Sequence, residues 1–204
     1  MLLALAGCSV LQAPTRTAVY DFGPGAVAVT ASTAAPLPAA RLSPVLLTDV
    51  ETTPALDTTA VLFRLNYADA QQLRPYAQAR WSMPPAQLLR QRLRETLGQQ
   101  RDVLNPGEGV SAGQGSVTLR IALEEFSQLF ESESASVGLV RLRATLSQPT
   151  AGGADRLLAQ RSFVVQRPSN TADATGGVRA LTAASDAAIA ELAAWMQQNS
   201  GAQK

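Results

Sequence analysis

Trp81-Ser-Met-Pro-Pro-Ala-Gln-Leu-Leu-Arg-Gln-Arg-Leu-Arg-Glu-Thr-Leu97, closed by Gly98, decides the fold, because the segments on both sides of it read as strands that need its apolar side. Ser82 can cap a helix entrance. Pro84 and Pro85 fit a first turn that has no intrahelical use for its N–H groups, and Gly98 suits the left-handed residue that ends many helices. Ala86, Leu89, Leu93 and Leu97 recur at three and four residues and form one stripe, which Leu88 widens. Arg90, Arg94 and Glu95 fall outside it, so one side of the helix packs and the other meets water.

Ahead of this helix, Leu73–Trp81 is predicted to pair with Ala60-Val-Leu-Phe-Arg-Leu-Asn-Tyr67, in which Val61, Phe63, Leu65 and Tyr67 share the buried face. Arg41–Val50 is apolar and β-compatible, but Pro44 lacks an N–H, which pushes this strand to an edge or makes it begin after the proline. Val27–Ala39 has no sustained period and reads as a connection. Thr17–Gly25 reads as a strand ended by Gly/Pro turn chemistry.

Behind the helix, Asp102–Leu104 is a short strand and Asn105–Gly115 a turn-rich loop. Val117, Leu119, Ile121 and Leu123 then alternate with polar residues, as do Val140, Leu142, Ala144 and Leu146, and Arg156–Gln166 is similar. These three segments predict an antiparallel meander with one wet face. Gly176-Gly177 opens a final helix over Val178–Gln198, striped by Leu181, Ala184, Ala188, Leu192 and Trp195. The expected fold class is α+β: a two-layer sandwich, mainly antiparallel sheet with two helices packed on one face.

Composition narrows function more than any motif does. A chain of 204 residues with 46% apolar residues fits one domain with tails. A net charge of +1 gives no broad basic field, so nucleic acid is not an expected partner. There is no histidine and one cysteine, which removes His-based acid/base chemistry, His–Cys metal sites and internal disulfides. The sole lysine is Lys204 in the tail, so a Ser–Lys pair is not at hand either, and an enzyme is not expected.

The remaining chemical candidates have simpler readings. Glu124 and Glu125 are adjacent in a strand and so face opposite ways, which argues against a catalytic pair and favours cross-strand pairing of Glu124 with an arginine such as Arg141 or Arg143. Arg90, Arg92 and Arg94 could meet lipid phosphates, but a solvated helix face is the favoured reading. Trp81 and Trp195 could line a ligand, but packing is favoured. Gly107–Gly113 resembles a dinucleotide fingerprint only superficially, since its last spacing is one residue too long and no helix follows.

At the amino terminus, Leu5-Ala-Gly-Cys8 after Met1-Leu-Leu-Ala resembles the lipobox of bacterial lipoproteins. The resemblance implies diacylglycerol on the Cys8 thiol, cleavage before it and acylation of the new terminus, giving several chains on one residue and hence stable anchoring. Ser9, with no Asp in its place, resembles lipoproteins that go on to the outer membrane. The expected division is a signal segment 1–8, a tether 9–16, one α+β domain 17–198 and a tail 199–204.

With that lipobox, Tyr20-Asp-Phe-Gly-Pro24, Ala79-Arg-Trp-Ser-Met-Pro-Pro-Ala86, Leu119-Arg-Ile-Ala-Leu-Glu-Glu-Phe-Ser-Gln128, Val140-Arg-Leu-Arg-Ala-Thr-Leu146 and Gly176-Gly-Val-Arg-Ala-Leu-Thr-Ala-Ala184 resemble the auxiliary lipoproteins of ABC-type transport systems. The resemblance implies a periplasmic α+β domain tethered to the outer membrane. Its partners would be an MCE-domain protein and an inner-membrane permease and ATPase that move lipids or other hydrophobic compounds. It carries over no catalytic, cofactor-binding or metal residue, only the lipidation of Cys8, and it leaves open whether the chain forms a homo-oligomer. Two other readings stay open: a periplasmic carrier holding a lipid between helices and sheet, and an envelope-assembly lipoprotein acting on a β-barrel protein.

Overall fold

The computed structural model describes residues 16–25, 41–106, 116–150 and 153–200. Cys8, most of the tether, the 27–39 connection, the Gly107–Gly113 stretch and the end of the tail lie outside the described residues. The chain runs β1 (Ala18–Tyr20), β2 (Leu42–Thr52), β3 (Ala60–Leu65), β4 (Asp69–Trp81), α1 (Pro85–Gly98), β5 (Arg101–Leu104), β6 (Val117–Phe130), β7 (Ser136–Pro149), β8 (Asp155–Pro168) and α2 (Ala174–Ser200).

Among the described residues β6 is the spine of an eight-stranded sheet. β7 pairs along nearly all of one edge, from Thr118↔Ser147 to Phe130↔Ser136, and β8 lies beyond it, giving the expected antiparallel meander. The other edge of β6 is shared by two strands laid end to end. β2 takes Val117–Leu123 and β3 takes Gln128–Phe130, both parallel to β6. β5 flanks β2, β4 flanks β3, and β1 closes the β4 side.

Among the described residues four pairings, β1–β4, β2–β5, β2–β6 and β3–β6, are parallel and three are antiparallel, so the sheet is mixed rather than mainly antiparallel. Alternation of apolar and polar residues reports which face of a strand is buried. It does not report the direction of the neighbour, which depends on where distant segments are placed. The α+β class itself stands.

Two local irregularities shape the sheet. The β6–β7 register shifts between Leu123 and Glu125, leaving Glu124 as the extra residue of a bulge. Before it the buried apolar residues are odd-numbered, Leu119, Ile121 and Leu123; after it they are Phe126 and Phe130. The bulge moves the inward set by one position, which a regular strand cannot do. In β2, an interior strand rather than an edge, pairing with β6 begins at Val45 and the register with β5 shifts between Leu42 and Val45. Pro44, with no N–H to give, sits in that irregularity. Tyr67 is not in β3 at all: the strand ends at Leu65 and Tyr67 lies exposed in the turn before β4.

The helix ends differ from expectation. α1 begins at Pro85 with Pro84 at the cap position and no side-chain cap bond, and the Ser82 amide donates instead to the Tyr20 carbonyl at 2.7 Å. Gly98 is helical and Gln99 caps the end in the right-handed region, so no left-handed glycine is needed. α2 starts four residues earlier than predicted because Asp173 is its cap, accepting from the Gly176 amide at 2.7 Å. That bond, with the Thr171 hydroxyl at 2.8 Å, holds the Asp173 carboxyl below the usual range.

Leu47, Leu119, Leu142 and Leu146 from the sheet, Leu89 and Leu93 from α1, and Leu181 and Leu192 from α2 are fully buried in one cluster. Each such side chain contributes about 1.5–3 kcal/mol over its exposed state. The predicted α2 stripe, Leu181, Ala184, Ala188, Leu192 and Trp195, is buried throughout. Its small residues let α2 lie close to β7: a Cβ on Gly138 would stand 2.5 Å from the backbone of Ala180 and Leu181. At the start of α2, Gly177 meets Gln128, which accepts from Tyr76 at 2.8 Å and donates to Ser136 at 2.7 Å. Burial, and then the Asp173 charge, push the Tyr76 phenol to about 12, so it remains the donor in this network.

Candidate functional site

The residues that follow β1 are held more firmly than their position near the amino terminus suggests. Phe22 is buried edge-on against Trp81, with ring centroids 5.7 Å apart, and stacks on Phe126 at 6.2 Å. Tyr20 Oη lies 3.1 Å from Thr175 Oγ1 at the start of α2. The turn that follows has Gly23 and Gly25 at φ 66° and 71°, conformations that L side chains rarely adopt.

Arg92 of α1 fastens this turn. Its Nη2 donates to the carbonyl of Phe22, and to that of Gly23 at 3.1 Å. Its Nε lies 3.4 Å from Asp186 of α2 and its Nη1 lies 3.8 Å from Glu95. A Cβ on Gly25 would fall 1.9 Å from Arg92 Nη1, so the backbone crosses directly over the guanidinium. Burial raises the Asp186 carboxyl, an effect that Arg92 opposes and Glu95 adds to. β1, α1 and α2 are thus clasped at one buried cation.

Among the three arginines of α1, neither reading made from the sequence describes Arg92. It is 6% exposed and serves the fold rather than water or phosphate. The signal was there, since Arg92 follows Leu88 by four positions and Leu89 by three and so lies on the packing side. Replacing Arg92 with alanine is expected to cost about 2–3 kcal/mol, the price of leaving two carbonyls unpaired, with little added for the half-exposed carboxylates. Arg92→Lys should recover less than half of this, because an ammonium lacks the fork that reaches both carbonyls and Asp186. Urea denaturation followed by circular dichroism reads both values.

Glu124 pairs with Arg143 at 2.7 Å, as expected, while Glu125 pairs with Arg64 at 3.1 Å rather than with its register neighbour Arg141. Trp81 and Trp195 are both buried, the latter edge-on to Phe163 at 5.7 Å, so both pack. Arg90 and Arg94 line a groove of about 630 Å³ beside the end of β2. A second groove, of about 480 Å³, lies between the β1 clasp and α2, with exposed Val19 on its rim. Among the described residues no cluster of His, Cys, Asp and Glu could hold a metal, and no helix is long and apolar enough to cross a membrane. Cys8 lies outside the described residues.

The fold is similar to that of protein XCC0632 from Xanthomonas campestris, of family model DUF330. The two share 21% identity at a TM-score of 0.65, over 81% of this chain and 93% of that one. A second crystal structure, titled as that of an uncharacterized protein, matches at 16% identity and a TM-score of 0.58, covering 89% of this chain and 99% of the other. None of the curated proteins matches. The family model for the ABC-type transport auxiliary lipoprotein component matches residues 25–194, which takes in β2 through β8, α1 and all but the last six residues of α2. The chain belongs to the family of ABC-type transport auxiliary lipoprotein components.

Proposed function

We propose that this protein is a non-enzymatic tether and docking component of an MCE-linked ABC-type transport system for lipids or other hydrophobic compounds. It is anchored through acyl chains on Cys8 to the periplasmic face of the outer membrane. The observation that carries this reading is the lipobox-like Leu5-Ala-Gly-Cys8 ahead of a domain of this family. The absence of histidine and the commitment of Glu124, Glu125 and Asp186 to arginines support a structural rather than catalytic role. The core between helices and sheet is packed with buried side chains, which favours docking over enclosure of a lipid in that core, while an open groove runs along the α1–β2 margin.

The docking edge in this account is β8. Among the described residues it pairs with β7 alone, so the backbone groups of its outer side stay open to an added strand. Arg156, Arg161 and Arg167 are all exposed, whereas its one carboxylate, Asp155, is engaged by Arg120 at 3.1 Å. That balance suits an acidic extended segment of the partner and disfavours pairing of two β8 strands. Affinity purification from envelope extracts should recover an MCE-domain protein or the permease. Recovery of neither removes the main support for this function.

A further inference from the structure

The groove beside Arg90 and Arg94 plays no part in that reading. It runs between α1 on one side and the end of β2 with the following turn on the other. Its chemistry is graded. Met83, Ala86 and Val50 supply apolar surface, and Ala86, Arg90 and Arg94 form one i, i+4 row, so the lining passes from apolar to cationic over about 12 Å of helix.

The charges are only half matched. Arg90 Nε lies 3.1 Å from Asp49, a carboxylate that is 92% exposed and therefore readily displaced. Arg90 Nη2 also donates to Asn105 Oδ1 at 2.8 Å, and Arg94 Nη1 meets the same oxygen. Two guanidinium groups thus converge on one neutral amide oxygen, an arrangement that a phosphate would satisfy with more charge and more acceptors. Among the described residues Arg94 has no carboxylate within ion-pair distance, and neither does exposed Asp57 have a cation there. Among the described residues, one positive and one negative charge in the same groove thus have no ion-pair partner.

We propose that this groove is a binding site for a zwitterionic amphiphile carrying a phosphate and an amine. The phosphate sits on Arg94 with Arg90, the ammonium faces Asp57, and the start of the acyl chain lies on Met83, Ala86 and Val50. This site stands apart from partner docking at β8 and from the anchor, so it can be tested without either.

The test uses the full chain with Cys8→Ser, so that no acyl group of its own competes. Dihexanoylphosphatidylethanolamine is titrated below its micelle-forming concentration and followed by backbone amide NMR. Dihexanoylphosphatidylglycerol and inorganic phosphate are run in parallel. The expected result is saturable shifts at Ala86, Arg90 and Asp57, tightest for the ethanolamine lipid and weakest for inorganic phosphate. Arg94→Gln should weaken the ethanolamine lipid about tenfold, as loss of a charge-assisted bond does. Asp57→Asn, at an exposed turn position, should abolish the preference for ethanolamine over glycerol while leaving the melting temperature unchanged. The proposal is overturned if no saturable shift appears in the groove or if both variants bind as the parent does. It is equally overturned if inorganic phosphate binds as tightly as the lipid, which would mark an adventitious ion only.

Discussion

Gly138→Ala is expected to destabilise the protein by about 3 kcal/mol or more, at the upper end of what overpacking a core costs. The added Cβ would stand 2.5 Å from Ala180 C and Leu181 N and 2.8 Å from Ala180 O. These are backbone atoms in a helix whose other contacts, through Leu181, Ala184 and Ala188, are already fully buried. No side-chain rotation relieves the clash, so α2 must lift from β7 or the strand must bend, and either change opens the core along its length. Urea denaturation reads the loss. Gly98→Ala is the matched control: nothing lies within 4 Å of its Cβ position and its conformation is helical, so alanine should be neutral or stabilising by up to about 1 kcal/mol. Equal stability of the two variants would show that α2 does not rest on the Gly138 backbone.

Cys8→Ser is expected to move the protein from the membrane fraction to the soluble fraction while leaving the domain folded. The described residues hold no helix able to cross a membrane, and a net charge of +1 offers little electrostatic attraction to an anionic surface. On the proposed reading attachment rests on acyl chains at Cys8, of which one alone binds marginally and two or more bind stably. Cell fractionation after a high-salt wash, with labelled palmitate as a second readout, checks this. A variant that stays with the membrane, or a parent chain that takes up no label, contradicts the anchor.

Much of this was readable in the sequence where a local pattern is self-sufficient. The α1 stripe, the α2 stripe and the buried faces of β6, β7 and β8 all follow from spacing, and the short turns between those three strands make them an antiparallel meander. What spacing could not deliver was the direction of β2 and β3 along β6, since alternation is the same beside a parallel or an antiparallel neighbour. The bulge at Glu124 was legible in principle, because Leu123 and Phe126 are both bulky and apolar yet three apart. Read as a regular strand, the segment hid it.

The site divided along the same line. Glu124 with Arg143 is a short-range cross-strand pair and was foreseen. The Arg92 clasp joins Phe22, Gly23 and Asp186, which are distant in sequence, and only the assembled fold brings them together. Likewise Ser82 looked like a cap, but its amide was taken by β1, and the prolines started α1 without it.

The central claim is that the domain, held by Cys8, receives a transport partner along β8. Its most direct test is in-cell photocrosslinking with a reactive residue placed in turn at Gln160 and Gln166, both exposed on that strand, and at exposed Gln72 on β4 as a reference. The account predicts crosslinks to an MCE-domain protein from the two β8 positions and not from Gln72. Crosslinks from β8 only to a β-barrel protein or to a second copy of this chain, or none to an MCE-domain protein from any position, would contradict it.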